Sequence, residues 1–448
     1  MPTLLRRFAL LLAVILAAYA TSPASAAVEV QRVVSPGGIE AWLVEDHANP
    51  VVSLALAFRG GAAALDRSGK EGTTELLAAM MNEGAGDLDS QAFQRALEEN
   101  SIDFRFDAGR DAFEGSIRTL TRHRDLAFDL LRLALTVPRF DADAVDRVRA
   151  QLLASLAQKV EDPDYIAARA WWRLAFPDHP YGRPVDGTAE SVAALGADDL
   201  RGAVGEAFAR DRLVLAAVGD ITASELALLL DRTFGQVPAA SPAVEVPRAE
   251  PVLGDTVVIE RDVPQSVAVF GQGGIDRDDP DFYAAYVLNY ILGGGGFASR
   301  LTEEVREKRG LAYGVSTYLN TLEHSAVWQG QVATQNERVA ESLHLIRDEW
   351  RRMAETGPTA EELSDAKTYL TGSFPLRLTS TGSLAGFLVD IQLQELGIDY
   401  VEKRNGLIEA VSLDDVKRVA ARLMTPDRLS FVIVGRPKGV EPTRAAPG

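Results

Sequence analysis

The chain contains one stretch of sequence twice, and that limits what it can fold into more than any other feature. Asp198-Asp199-Leu200 returns as Asp414-Asp415-Val416, and residues 211–219 (DRLVLAAVG) return as 427–435 (DRLSFVIVG), both 216 positions later. Near the start of each half, residues 58–61 (FRGG) resemble 271–274 (GQGG), 213 positions later. Three matches in one order at nearly one offset mean a duplicated domain, since solenoid repeats have periods of roughly 20–50 residues. A Pro- and Ala-rich stretch over residues 237–251 supplies the linker. The expected division is a first domain over 27–236, a linker over 237–253, a second domain over 254–436 and a tail over 437–448. A chain of 448 residues is long enough for two sizeable cores.

Each half reads as α+β. In the first, residues 39–44 and 51–58 have the pattern of strands, followed by helices over 73–82 and 90–99. A hairpin over 102–108 and 112–119 comes next, then helices over 124–135 and 142–159 and a closing strand over 213–218. Thr222 and Glu225 form a capping box for one more helix, each side chain satisfying the other's free amide. In the second half, 267–270, 314–319 and 326–333 read as extended, with helices over 281–292, 338–355, 360–371 and 413–423. Strands first, then helices, then one returning strand imply a largely antiparallel sheet with helices packed on one face. Residues 262–266 and the strand after them offer a candidate edge for pairing with an extended peptide.

Arg6 and Arg7, a short apolar run over 8–20 and the small residues Ala24-Ser25-Ala26 have the layout of a cleaved export signal over residues 1–26. The apolar run is shorter than the roughly 20 residues a spanning helix needs. Losing Arg6 and Arg7 would move the formal charge from -18 to -20. So acidic a chain has no general field for nucleic acid or anionic lipid. With no cysteine, disulfide staples and thiolate zinc sites are excluded.

The motifs now point to a family. Residues 72–83 (GTTELLAAMMNE), 176–184 (FPDHPYGRP), Gly293-Gly294-Gly295, Ser299-Arg300-Leu301 and 306–313 (REKRGLAY) together resemble the pitrilysin/insulinase/mitochondrial-processing-peptidase family, from about residue 30 to 436. The resemblance implies two homologous domains that form half of a clamshell around a peptide. It also implies where a catalytic zinc site would lie. Active members carry His-x-x-Glu-His on a first-domain helix, where two imidazoles one turn apart bind zinc and the glutamate activates water. A glutamate on a later helix completes the set.

Here those positions hold Glu75, Ala78 and Ala79, and Ser155 falls where the later glutamate is expected. All four functions are missing. The five histidines, His47, His123, His179, His324 and His344, stand nowhere at ligand spacing. By itself the chain is expected to bind no catalytic zinc and to be inactive. The second-domain motif survives. In the resembling enzymes an arginine and a tyrosine spaced like Arg306 and Tyr313 bind substrate backbone and stabilise charge on the scissile carbonyl, work suited to two donors. The glycines 293–296 are not a phosphate loop, because no Lys-Ser/Thr follows them.

The resemblance therefore implies a non-catalytic subunit of an exported, periplasmic heterodimer. Its partner would be a homologous chain with an intact His-x-x-Glu-His motif and the zinc, and the pair would enclose an unfolded or short peptide. The competing expectation is a structural, assembly or peptide-binding protein that kept the fold and has no part in proteolysis.

Overall fold

A computed structural model describes residues 28–242 and 245–446. The expected signal, residues 1–26, lies outside the described residues, as do linker residues 243–244 and tail residues 447–448. No helix among the described residues is long and apolar enough to cross a membrane.

Among the described residues, eleven strands form two sheets. They are β1 (Gln31–Val34), β2 (Glu40–Glu45), β3 (Val51–Arg59), β4 (Asp103–Ala108), β5 (Ala112–Leu120), β6 (Leu213–Gly219), β7 (Thr256–Glu260), β8 (Gln265–Gly273), β9 (Ala312–Thr321), β10 (Ala326–Gln335) and β11 (Ser430–Gly435). The first sheet runs β1-β2-β6-β3-β5-β4 and the second β7-β11-β8-β10-β9. Without β1, both follow one order: first strand, last, second, fourth, third. In both, the first and last strands pair in parallel and every other pairing is antiparallel. The duplicated sequence is thus a duplicated topology. The ladders also set the offset of the second strand: Ala57 pairs with Val214 and Gly271 with Ser430. Given 216 for the closing strands, the second strands lie 214 apart, one residue from the match read off the glycines.

The repeated run became the closing strand of each sheet because its apolar residues are continuous. A strand buried on both faces needs no alternation. All six residues of β11 are buried, as are the last five of β6. β5 alternates instead, its outward residues exposed.

Each sheet packs its own helices on one face, as expected. In the first half, Leu76, Phe93, Phe128, Val145, Leu200 and Leu226 from six helices meet Leu54, Leu56 and Leu215 of the sheet. In the second, Leu288, Ile346, Trp350 and Val416 meet Phe270, Trp328 and Phe431. The opposite face of each sheet is covered by a helix from the other half. Helix Pro163–Ala175 lays Trp171 and Trp172 on Val267, Val269, Val432 and Val434 of the second sheet. Helix Thr381–Leu393, which starts 218 residues later, lays Leu384, Ala385 and Leu388 on Ala55, Ala57, Ala216 and Val218 of the first. The two are equivalent helices exchanged between the repeats.

Arg59 fixes one of these crossovers. Its Nη1 and Nη2 donate to the carbonyls of Leu393 and Gln392, 2.7 and 2.8 Å away, at the helix C-terminus where a cation is favoured. The sequence reading assigned no element to either exchanged helix, to β1 or β7, or to helix Tyr400–Glu409. The peptide-accepting edge it placed after residues 262–266 is corrected: those residues lead into β8, which is paired on both sides, by β11 and β10.

Candidate functional site

Helix Thr73–Met80 begins at a buried carboxylate. Asp66 Oδ2 accepts from Gly72 N at 2.8 Å, and Oδ1 accepts from Thr74 N at 2.9 Å and Thr74 Oγ1 at 2.6 Å. Three donors at a helix N-terminus favour a negative charge, yet burial dominates and pushes the Asp66 carboxyl up to about 6. Nothing in the sequence marked Asp66; an acid six residues ahead of the helix N-cap Gly72 is outside the usual capping spacing. It keeps the helix in place although the helix no longer carries a zinc motif.

Of the three positions on that helix, Glu75 alone carries a possible metal donor. Ala78 is buried and Ala79 is partly buried against the first core. Together with Asn82 they floor a groove of about 240 Å3 whose wall is Phe104, Arg105, Phe106 and Asp107 of β4. β4 pairs only with β5, so its other edge is free among the described residues. Glu75 is half-buried; burial pushes its carboxyl above the usual range, with Lys159 opposing that shift. Lys159 in turn pairs with Asp186 at 3.1 Å. Ser155 is exposed on helix Ala142–Lys159. Among the described residues, no three His, Asp or Glu side chains converge here. Zinc needs three protein ligands of nitrogen, sulfur or carboxylate type, so the residues present do not fit the metal.

The second motif is built differently. Residues Thr302–Glu307 form wide helical turns, closed where Gly310 N donates to Arg306 O at 2.8 Å and Leu311 N to Val305 O at 2.9 Å. Gly310 takes φ 59°, the left-handed turn that carries the chain from this helix into β9. Lys308 and Arg309 both turn back to buried Glu304, at 2.7 and 2.5 Å, and so serve the fold. Arg300 is likewise structural, held by Glu362 at 2.5 and 2.7 Å.

Arg306 and Tyr313 are brought together. The Arg306 guanidinium lies 4.9 Å from the Tyr313 ring and 4.4 Å from that of Phe297. Tyr313 is 86% exposed and Phe297 73%, so two aromatic rings stand in solvent around one cation. Its Nε pairs with Glu307 Oε1 at 3.4 Å, which leaves the Nη N–H groups to donate in the guanidinium plane. The sequence reading missed Phe297; the signal was an aromatic residue directly after four glycines.

His179 is structural. Its Nδ1 accepts from Tyr181 N at 3.2 Å and its Nε2 meets Pro247 O at 2.7 Å, tying the Pro-Tyr-Gly turn to the segment between the two sheets.

Two interlocked sheets of one topology, a degenerate metal helix and a half-buried arginine beside an exposed tyrosine define a peptidase-like protein without peptidase ligands. Comparison with known proteins agrees. Residues 194–370 match the family model described as the peptidase M16 inactive domain. The non-peptidase homolog YmxG of Helicobacter pylori is 28% identical over 396 residues, spanning 88% of this chain and 91% of that one. An uncharacterized zinc protease of Streptomyces coelicolor is 31% identical over 341 residues, 73% of this chain and 72% of its own. Among solved structures, a peptidase M16 inactive domain from Pseudomonas fluorescens superposes with a TM-score of 0.85 at 29% identity, covering 94% of this chain and all (100%) of that one. The chain belongs to the M16 peptidase family, that of pitrilysin, insulinase and the mitochondrial processing peptidase, and carries Glu75, Ala78 and Ala79 in place of its His-x-x-Glu-His motif.

Proposed function

We propose that this chain is the non-catalytic subunit of an exported heterodimeric zinc metallopeptidase. It would lend Arg306 and Tyr313 to a peptide held at the partner's zinc. The supporting observation is an asymmetry of loss. Every metal-site position is apolar or lacks a ligand partner, whereas exposed Tyr313 and half-buried Arg306 remain adjacent at the surface, and the ion pair of Arg306 is with its exposed chain neighbour Glu307. Their donors suit a substrate carbonyl, and an isolated donor of this kind in a water-poor site is worth about 10²–10³ in kcat. Lys308 and Arg309 of the same motif are used by the fold, so its outward Arg306 and Tyr313 are the residues left for a partner. The partner would be a homologous chain with His-x-x-Glu-His, and the compartment the periplasm.

The test is reconstitution. The chain is co-expressed with a family member bearing the intact motif, the complex is isolated, and hydrolysis of an unstructured peptide is followed. Stable one-to-one association and activity that needs both chains support the reading. Arg306→Ala and Tyr313→Phe should each lower kcat by about 10²-fold while the complex still forms. Unchanged kcat in both variants removes the shared-site role and leaves a structural or assembly protein.

A further inference from the structure

The two halves meet again at a place that the peptidase reading does not use. The turn between β4 and β5 carries Asp111, and the turn between β9 and β10 carries Glu323 and His324. In the duplicated topology these are equivalent hairpin turns, the third-to-fourth connection of each repeat. They face each other. Glu323 N donates to Asp111 Oδ2 at 3.0 Å, so one turn caps the side chain of the other.

One donor atom from each of Asp111, Glu323 and His324 lies within 4.8 Å of the other two. We propose that these three side chains bind a divalent transition-metal ion, Zn2+ in preference to Ca2+, as a brace between the halves. The donor set decides the class of ion. One imidazole nitrogen with two carboxylates suits zinc or manganese, whereas calcium takes an all-oxygen shell of six to eight ligands. Three protein ligands leave a coordination position for water.

The geometry is nearly assembled. A tetrahedral ion with bonds of about 2.1 Å holds its ligands about 3.4 Å apart, so a small closing movement remains. Glu323 is the exposed member and the one free to make it. The other two are held. His324 N donates to Tyr181 Oη at 2.9 Å, and His324 O accepts from Ala249 N at 2.9 Å. Tyr181 Oη donates to Asp111 Oδ1 at 2.6 Å, which orients the carboxylate as a supporting partner orients a metal ligand. Each Asp111 oxygen has a second lone pair for an ion.

The surroundings favour a cation. Asp111 and Glu323 line a cavity of about 1080 Å3 between the halves, whose walls hold nine acidic and five basic side chains. Arg110, next to Asp111, places its guanidinium over the Trp172 ring at 3.9 Å. The ion would replace hydrogen-bonded contact between the turns by direct coordination of both.

Zn2+, and separately Ca2+, is titrated calorimetrically into the purified chelator-treated chain, and thermal unfolding is recorded with and without each ion. One Zn2+ per chain and a higher unfolding midpoint are expected, with no saturable Ca2+ binding. Glu323→Gln, at an exposed position that leaves the fold intact, and His324→Ala should each weaken Zn2+ binding at least tenfold and abolish the midpoint shift. His344→Ala, on a different helix beside Asp348, should change neither. Absence of saturable Zn2+ binding overturns the proposal, and so does equal binding by Glu323→Gln and His324→Ala. Loss of binding in Glu75→Gln, with both turn variants binding like the wild type, would place the metal on the degenerate helix and overturn this site together with the inactive reading.

Discussion

At the residue scale, Asp66 and Arg306 carry the sharpest consequences. The Asp66 carboxyl is raised from 3.8 to about 6 by burial, so the folded state holds its proton more tightly than the unfolded chain. Its contribution to stability is fullest below pH 3.8, falls as pH rises through about 6 and stays lost above that. A shift of this size corresponds to about 3 kcal/mol between the extremes. Denaturant unfolding between pH 4 and 7 should therefore show wild-type protein losing stability with rising pH relative to Asp66→Asn. Parallel pH profiles for the two proteins would refute this. The same scale shows what sequence can and cannot reveal about the site. Glu75, Ala78, Ala79 and Ser155 are legible because a missing ligand is a matter of side-chain chemistry alone. Phe297 and Asp66 were not legible, because their roles depend on which groups the fold brings beside them.

Among the elements, the exchanged helices set the energetics. Gly271 lies in β8 where a Cβ would come 2.7 Å from the Trp171 ring and 2.8 Å from the Trp328 carbonyl oxygen. The glycine is there to admit a tryptophan from the other half. Gly271→Ala should cost about 1–3 kcal/mol through overpacking, measured as a lower unfolding midpoint. In Gly271→Ala combined with Trp171→Phe, part of that loss should return, since the smaller ring relieves the clash; strict additivity would show that the two do not meet. Arg59→Ala removes both hydrogen bonds to the end of helix Thr381–Leu393 and should cost about 1–2 kcal/mol. Helix Thr381–Leu393 was not legible beforehand, because it is apolar on much of its surface and a search for one apolar face finds no clean period; Pro163–Ala175 is amphipathic, and what the sequence hid was that its apolar face serves the other half. The strongly patterned helices were read closely, Ser90–Glu99 to the residue.

For the whole molecule, duplication and exchange together mean that neither half is complete without the other. A fragment ending within the linker would leave the apolar face of Trp42, Ala55, Ala57, Ala216 and Val218 uncovered, because helix Thr381–Leu393 is missing. Residues 28–236 and 254–446 expressed separately should each be aggregation-prone, and co-expression of the two should restore soluble material that unfolds in one transition. Independent, fully soluble folding of either piece would contradict this. The sequence by itself determined that there are two repeats, that each is α+β and that the metal site is lost. Repetition, alternation and ligand chemistry are local properties that survive without coordinates. Only the tertiary structure decided that the repeats interlock, that Arg306 is flanked by Tyr313 and Phe297, and that Asp111 meets Glu323 and His324. Those pairings join residues far apart in the chain, and sheet order and helix packing, not local preference, choose them.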